Sequence, residues 1–159
     1  MLCAVTNWLD DEEMEVWRAF IAVSVAVRAE LDAELVAAHG LTEGDYAVLV
    51  NLSEAPERRM RMCDLSTVLH LSASGLTRRL DGLVKQGLVA RQPATDDRRV
   101  TMAVLTDDGM AKLEGAAPMH VDGVRRHLVD RLTRPQLRQL GEALKAIQAT
   151  CPTLAVHPG

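Results

Sequence analysis

Between residues 10 and 38, apolar side chains recur at Met14, Trp17, Ile21, Val25, Leu31 and Leu35. That spacing is close to the 3.6-residue period of one helix face and predicts a single long helix. Acidic residues crowd its start, from Asp10 to Glu13, where the helix dipole favours them. His39-Gly40 closes it, with glycine suited to the left-handed residue that follows a helix. Thr42 has the character of an N-cap for a second helix over 43–54, which offers Tyr46, Val48, Leu49 and Leu52 to a core before Ala55-Pro56 stops it. ERRMR reads as a basic turn. A short third helix over 63–69 presents Leu65, Val68 and Leu69, and His70-Leu71 connects it to a fourth over 73–86, capped by Ser72 and ended by Gly87. Helix, tight turn, helix is the supersecondary unit of DNA-binding helix-turn-helix proteins.

The rhythm then changes. LVARQ and VTMAVLT are short and rich in β-branched residues, and the polar PATDDRR between them opens with Pro93. This predicts a β-hairpin with a charged tip, the wing of a winged helix-turn-helix. Thr106 caps a fifth helix over 107–131, with Leu113, Met119, Val124 and Leu128 apolar. Pro118 is expected to kink or break it. Thr133-Arg-Pro-Gln136 matches a capping box with an early proline, and a last helix to about 149 carries Leu137, Leu140, Leu144 and Ile147 on one stripe. Residues 151–159 read as a flexible tail.

Composition narrows the picture. The 159 residues suffice for one domain with extra pairing helices, and 48% are hydrophobic while only 3% are aromatic. The core is therefore built from Leu, Val, Ala, Ile and Met. No apolar run reaches the roughly 20 residues of a membrane span, and the acidic start lacks the basic region of a secretory signal. Cys3, Cys63 and Cys151 are odd in number and form no CxxC, which fits reduced thiols in a cytoplasmic protein. The net charge of −4 conceals an asymmetry: residues 1–57 carry −10, residues 58–99 carry +5 and residues 100–159 carry +1. The base sits in the middle segment, a local footprint for a polyanion.

On a helical wheel at about 100° per residue, with Leu76 at zero, the fourth helix buries Leu76, Leu80, Leu83 and Val84. Arg78 and Lys85 lie opposite, with Ser74, Gly75 and Gly82; Thr77 and Arg79 occupy the two flanks. A small, polar and basic outer face suits a major groove, because Gly and Ser permit close approach and Arg reaches guanine bidentately. Ser72 marks the helix start, where free N–H groups favour phosphate. Arg78 is thus the candidate for base or groove contact, and Arg79 for a phosphate contact or a structural ion pair.

Four motifs follow one another here: Ser72/Ser74/Thr77/Arg78, Leu83/Gly87/Leu88/Val89/Arg91, Asp97/Arg99 and Leu105/Thr106/Gly109. In order and spacing they resemble the MarR family of bacterial winged helix-turn-helix transcriptional regulators, most strongly over 41–109. The resemblance implies a homodimer in which the first helix and the last two interleave with a partner chain. It also implies that Arg99 enters the minor groove from the wing tip, that Asp97 holds it in place, and that Arg98 contacts phosphate.

The resemblance raises other possibilities that the residues do not carry. Some relatives bind zinc, but His39, His70, His120, His127 and His157 form no HxxxH; His120 and His127 are placed to share a helix face, and no metal or cofactor is expected. Some relatives sense oxidants through a cysteine near the first helix, a position that neither Cys3 nor Cys63 matches. Family members often bind small effectors between the dimer and DNA-binding parts. Trp17, Phe20 and Tyr46 are the candidates to line such a pocket, with core packing as the simpler role, and no effector identity is assigned. No GxSxG, P-loop, GxGxxG or HExxH occurs, so no enzyme is expected.

The expected fold is mainly α, a winged helix-turn-helix with a short β-hairpin, flanked by dimerisation helices. Residues 1–40 and 110–150 serve pairing, and residues 41–109 bind double-stranded DNA through Ser72, Ser74, Thr77, Arg78, Arg79, Arg98 and Arg99. The expected function is a ligand-responsive repressor acting on a pseudo-palindromic operator. The competing reading, a winged-helix module that binds protein, rests on the acidic first 57 residues.

Overall fold

The computed structural model describes residues 6–94, 97 and 99–150. Cys3, Cys151, Arg98 and the tail at 151–159 lie outside the described residues. The elements run α1 (Asp11–His39), α2 (Glu43–Glu54), β1 (Arg59–Arg61), α3 (Met62–Val68), α4 (Ala73–Lys85), β2 (Val89–Pro93), β3 (Thr101–Leu105), α5 (Asp107–His127) and α6 (Arg134–Thr150).

Local chemistry sets these boundaries. Asp10 and Glu13 form a reciprocal capping box at the start of α1, and Gly40, at φ 63°, ends it. Thr42 and Asp45 form another at α2, Ser72 caps α4 and Thr106 caps α5. Thr133 and Gln136 pair at the start of α6, with Thr133 N–H donating to Gln136 Oε1 at 2.9 Å. The turn between α3 and α4 closes through His70, a non-glycine residue at φ 51°.

The wing is larger than a hairpin. β3 is central, paired antiparallel with β2 on one side and with β1 on the other, in the register Arg59↔Val104, Met60↔Ala103 and Arg61↔Met102. ERRMR is therefore a 3-10 turn at Pro56–Arg58 followed by a strand, rather than a basic turn. Three residues are too few for alternation to register, and β3's unpaired edge supplies the partner. Two more expectations are corrected. α5 runs through Pro118 without a break, its ends held by the Thr106 cap and by packing on α1 and α2. It also stops at His127, and Val129–Arg131 form a separate 3-10 turn.

The core lies where α2, α3, α4, the sheet and the first half of α5 meet. Leu35, Leu41, Val48, Leu49, Leu52, Leu65, Leu80, Leu83 and Ala103 have no exposed surface. α1 joins it only through its second half, at Leu31 and Leu35. Trp17 and Phe20 stack on each other, with ring centroids 6.3 Å apart, yet each is 52% exposed, and Ile21 and Val25 are exposed as well. α6 buries no residue at all. Those two stripes were expected on the helices and are there, but among the described residues nothing covers them.

Candidate nucleic-acid interface

α4 is the best-defined surface of the molecule chemically. Its core face, Leu76, Leu80 and Leu83, is buried, while Val84, expected with them, is exposed; the three leucines fix the opposite face outward. Ser72 Oγ accepts from Gly75 N–H at 3.1 Å and sits 3.2 Å from Ser74 Oγ. α1, α2 and α5 each carry acids in the first turn, whereas α4 has none. Its N-terminal N–H groups and dipole are therefore left for an external anion. Ser74, Thr77 and Arg78 are exposed, and so is Lys85 at the far end. Thr77 Oγ1 donates back to the Ala73 carbonyl at 2.8 Å, which leaves its oxygen able to accept.

Both flanks of α4 are pinned. On one, Arg91 of β2 donates to Asp81 Oδ1 at 2.7 Å and to the Thr77 carbonyl at 3.0 Å. On the other, Arg79 donates to Thr42 Oγ1 at 3.1 Å and Asp45 Oδ1 at 3.3 Å, both at the start of α2. Of the two possible roles for Arg79, the structural ion pair is the one formed in the free protein. Ser72, Ser74, Thr77 and Arg78 thus share one face, and Arg79 turns away from it.

At the wing, the Asp97 carboxylate accepts the backbone N–H of Arg99 at 2.9 Å, and Ala94 N–H donates to the Val100 carbonyl at 2.9 Å. An aspartate two residues ahead thereby shapes the backbone from which the exposed Arg99 side chain projects. Arg98 lies outside the described residues.

The middle segment's positive charge is more engaged than its sum suggests. Arg58 pairs with Asp107, Arg59 with Glu57, Arg79 with Asp45 and Arg91 with Asp81. Lys85, which the expected set omitted although the helical wheel put it on the outer face, is exposed there as well. The role of β1, bringing Arg59 and Arg61 beside β3, had no signal in so short a stretch.

The other candidates disperse. Tyr46 is in the core with its ring 4.3 Å from that of His120, far in environment from the exposed Trp17–Phe20 pair. Burial pushes the His120 pKa down, opposed by the nearby Glu43 charge, and burial pushes the Tyr46 hydroxyl up. His127 Nε2 lies 3.0 Å from Glu34 Oε1 of α1, which also accepts from Arg126. Cys63 is exposed. Among the described residues no group of three or more His, Cys, Asp or Glu side chains is placed to hold a metal, and no helix is long and apolar enough to cross a membrane.

Comparison with known proteins agrees with this geometry. The family model described as MarR family matches residues 41–101. AbsC from Streptomyces coelicolor, a MarR family transcriptional regulator, superposes with a TM-score of 0.85 at 40% identity, over 91% of this chain and 97% of that one. Sco3205 from the same organism, solved in complex with DNA, gives 0.85 at 37% identity over 91% and 90% of the two chains. The transcriptional repressor YetL of Bacillus subtilis is 29% identical across 70% of this chain and 68% of its own. With the helix order, the wing and nearly the full length of AbsC matched at this identity, the chain belongs to the MarR family of winged helix-turn-helix transcriptional regulators.

Proposed function

We propose that this protein is a sequence-specific DNA-binding repressor that acts as a homodimer on a pseudo-palindromic site. The observation that carries the reading is the outward face of α4. Ser74, Arg78 and Lys85 stand exposed on a helix whose first turn holds no acid. The face is framed by two ion-paired flanks and lies beside a wing ending in Arg99. Arg78 reads a base edge, Ser72 and Lys85 meet phosphate, and Arg99 enters the minor groove next to the site. Arg98 adds a phosphate contact. The action is binding rather than catalysis, and DNA as partner places it in the cytoplasm.

Residues 41–109 form the DNA-binding part, and residues 1–40 and 110–150 the pairing part. The exposed apolar stripes on α1 and α6, Trp17, Phe20 and Ile21 on one and Leu140, Leu144 and Ile147 on the other, support pairing, since such surface is normally covered. A two-fold dimer sets two recognition helices one DNA turn apart, about 34 Å. YetL's description as a repressor supports repression. A small effector, of unassigned identity, would lower DNA affinity by favouring a dimer with the wrong helix spacing.

The protein-binding alternative loses its main support. Several acids of the first 57 residues are used internally: Asp10 and Glu13 cap α1, Glu34 pairs with Arg126, Glu43 with Arg28 and Asp45 with Arg79. Selection from a random duplex pool, followed by anisotropy titration of the recovered sequence, tests the function. Recovery of an inverted repeat bound by two protomers is expected; a pool that stays unenriched overturns it.

A further inference from the structure

The geometry points to Arg79 as a positioning residue that fixes the roll of the recognition helix relative to the pairing helix α1, through the first turn of α2. The inference rests on the DNA-binding reading above and gives that site a mechanical support.

The contacts form a continuous polar path. From α1, Asp32 Oδ1 accepts the Glu43 backbone N–H at 2.7 Å, and Arg28 donates to Glu43 Oε2 at 2.8 Å and 3.0 Å. One turn of α2 carries the connection onward. Thr42 and Asp45 are tied by their capping box, with the Thr42 hydroxyl 2.6 Å from Asp45 Oδ2 and the Asp45 N–H 3.1 Å from Thr42 Oγ1. That leaves Asp45 Oδ1 for Arg79, and Thr42 Oγ1 accepts a second bond from the same Nη1. The guanidinium lies flat against Gly44: a Cβ built there would come within 2.2–2.6 Å of Nη1, Cζ and Nη2. Both partner side chains are largely shielded, at 30% and 19% exposure.

The apolar face of α4 cannot do this job alone. Leu76, Leu80 and Leu83 hold the helix against the core through non-directional contacts that tolerate a few degrees of roll. A roll moves Arg78 and Ser74 off their groove positions, and in a dimer it changes the angle and spacing of the two recognition helices. Directional bonds resist it. Arg91 supplies one pin from the sheet; Arg79 supplies the other and is the only one of the two that leads back to α1.

The test separates positioning from phosphate contact by using a residue of α2 that has no side chain and lies outside the recognition helix. Gly44→Ala places a methyl group in the guanidinium's seat. Because only the end of a flexible side chain must yield, the expected result is displacement of Arg79 with the fold kept. Arg79→Met removes the pin outright, and Arg79→Lys keeps the charge without the planar guanidinium that lies against Gly44. Affinities are measured at two salt concentrations for a duplex recovered from a random pool by the wild-type protein, and for an unrelated duplex of equal length.

Arg79→Met and Gly44→Ala should each weaken binding to the recovered duplex roughly tenfold, and the double variant should be no worse than either alone. Binding to the unrelated duplex and the salt slope should stay unchanged, and Arg79→Lys should fail to rescue. A Gly44→Ala protein with wild-type affinity, or an Arg79→Met protein with a flatter salt slope and equal loss on both duplexes, overturns the proposal in favour of a phosphate contact. A wild-type protein that enriches no duplex overturns the DNA-binding reading itself, and the inference with it.

Discussion

Gly109 closes the motif Leu-Thr-x-x-Gly, and its reason is steric. A Cβ there would sit 2.1 Å from the Leu88 carbonyl oxygen and 2.7 Å from Leu105 Cδ1. Thr106, three residues earlier, donates through Oγ1 to the Gly87 carbonyl at 2.7 Å and accepts the Gly109 N–H at 3.0 Å. The two residues clamp the start of α5 onto the turn that follows the recognition helix. The obstructing atom is backbone, so Gly109→Ala should destabilise the protein by about 1–3 kcal/mol, read as a lower urea midpoint. Gly82 is the contrast: nothing lies within 4 Å of its Cβ position. Gly82→Ala should gain roughly 0.5–1 kcal/mol of stability from helix propensity and at the same time lose DNA affinity, because the methyl group stands on the face that enters the groove. Arg78→Ala should leave the melting temperature alone and cost about 1–3 kcal/mol on the selected site; an equal loss on unrelated DNA would assign it to phosphate.

At the scale of elements, five of the six helices were legible from their own start signals, whereas α3 has no side-chain cap. Asp10, Thr42, Ser72, Thr106 and Thr133 all act at the helix ends read from them. What escaped was whatever depends on a distant partner. β1 exists because β3 has a free edge, Pro118 is carried by packing rather than by its own preference, and the partners of Arg79, for which an ion pair was one of the two roles read, are Thr42 and Asp45, 37 and 34 positions away. The same holds for the joint between α1, α2 and α5, where titration should be visible. Burial holds the His120 pKa below its ordinary value of 6.5, so the unfolded chain takes up its proton first. The stability linked to neutral His120 is complete above about pH 6.5 and is lost as pH falls through the lowered folded value. Glu34 is held below 4.5 chiefly by its hydrogen bond to His127, with burial opposing and Arg126 assisting. Its contribution persists above that ordinary value and disappears as pH falls through the depressed one. Urea midpoints measured from pH 8 to pH 3 should therefore fall in two stages, and His120→Phe should remove the upper stage while leaving the lower.

For the whole molecule, the proposed function draws affinity from charge at the wing and from pairing of two copies. Each protomer offers Arg99 from a wing whose backbone is shaped by Asp97, and a dimer offers two. If both enter the minor groove and displace counterions, Arg99→Ala should reduce the slope of log K against log salt by about two per dimer. In a two-fold dimer, pairing would carry the larger share. One recognition helix has a single site's affinity, and the second adds through effective concentration, roughly 10²–10⁴ overall. The apolar stripes of α1 and α6 are what would hold the copies together, and they are wide. Trp17, Phe20, Ile21 and Val25 run along the first half of α1, while Leu140, Leu144 and Ile147 run along α6, all exposed in one chain. Because α6 buries nothing within its own chain, charge can be put on it without opening a core. Leu144→Asp with Ile147→Asp should therefore leave residues 41–109 folded, with helical content and the urea transition of that part retained, while sedimentation shows monomers. On the selected duplex the variant should bind about 10²–10⁴ more weakly, and its titration should no longer distinguish the full inverted repeat from one half of it. Full-strength binding by a monomer would show that α6 does not carry the pairing and that the two half-sites are read independently.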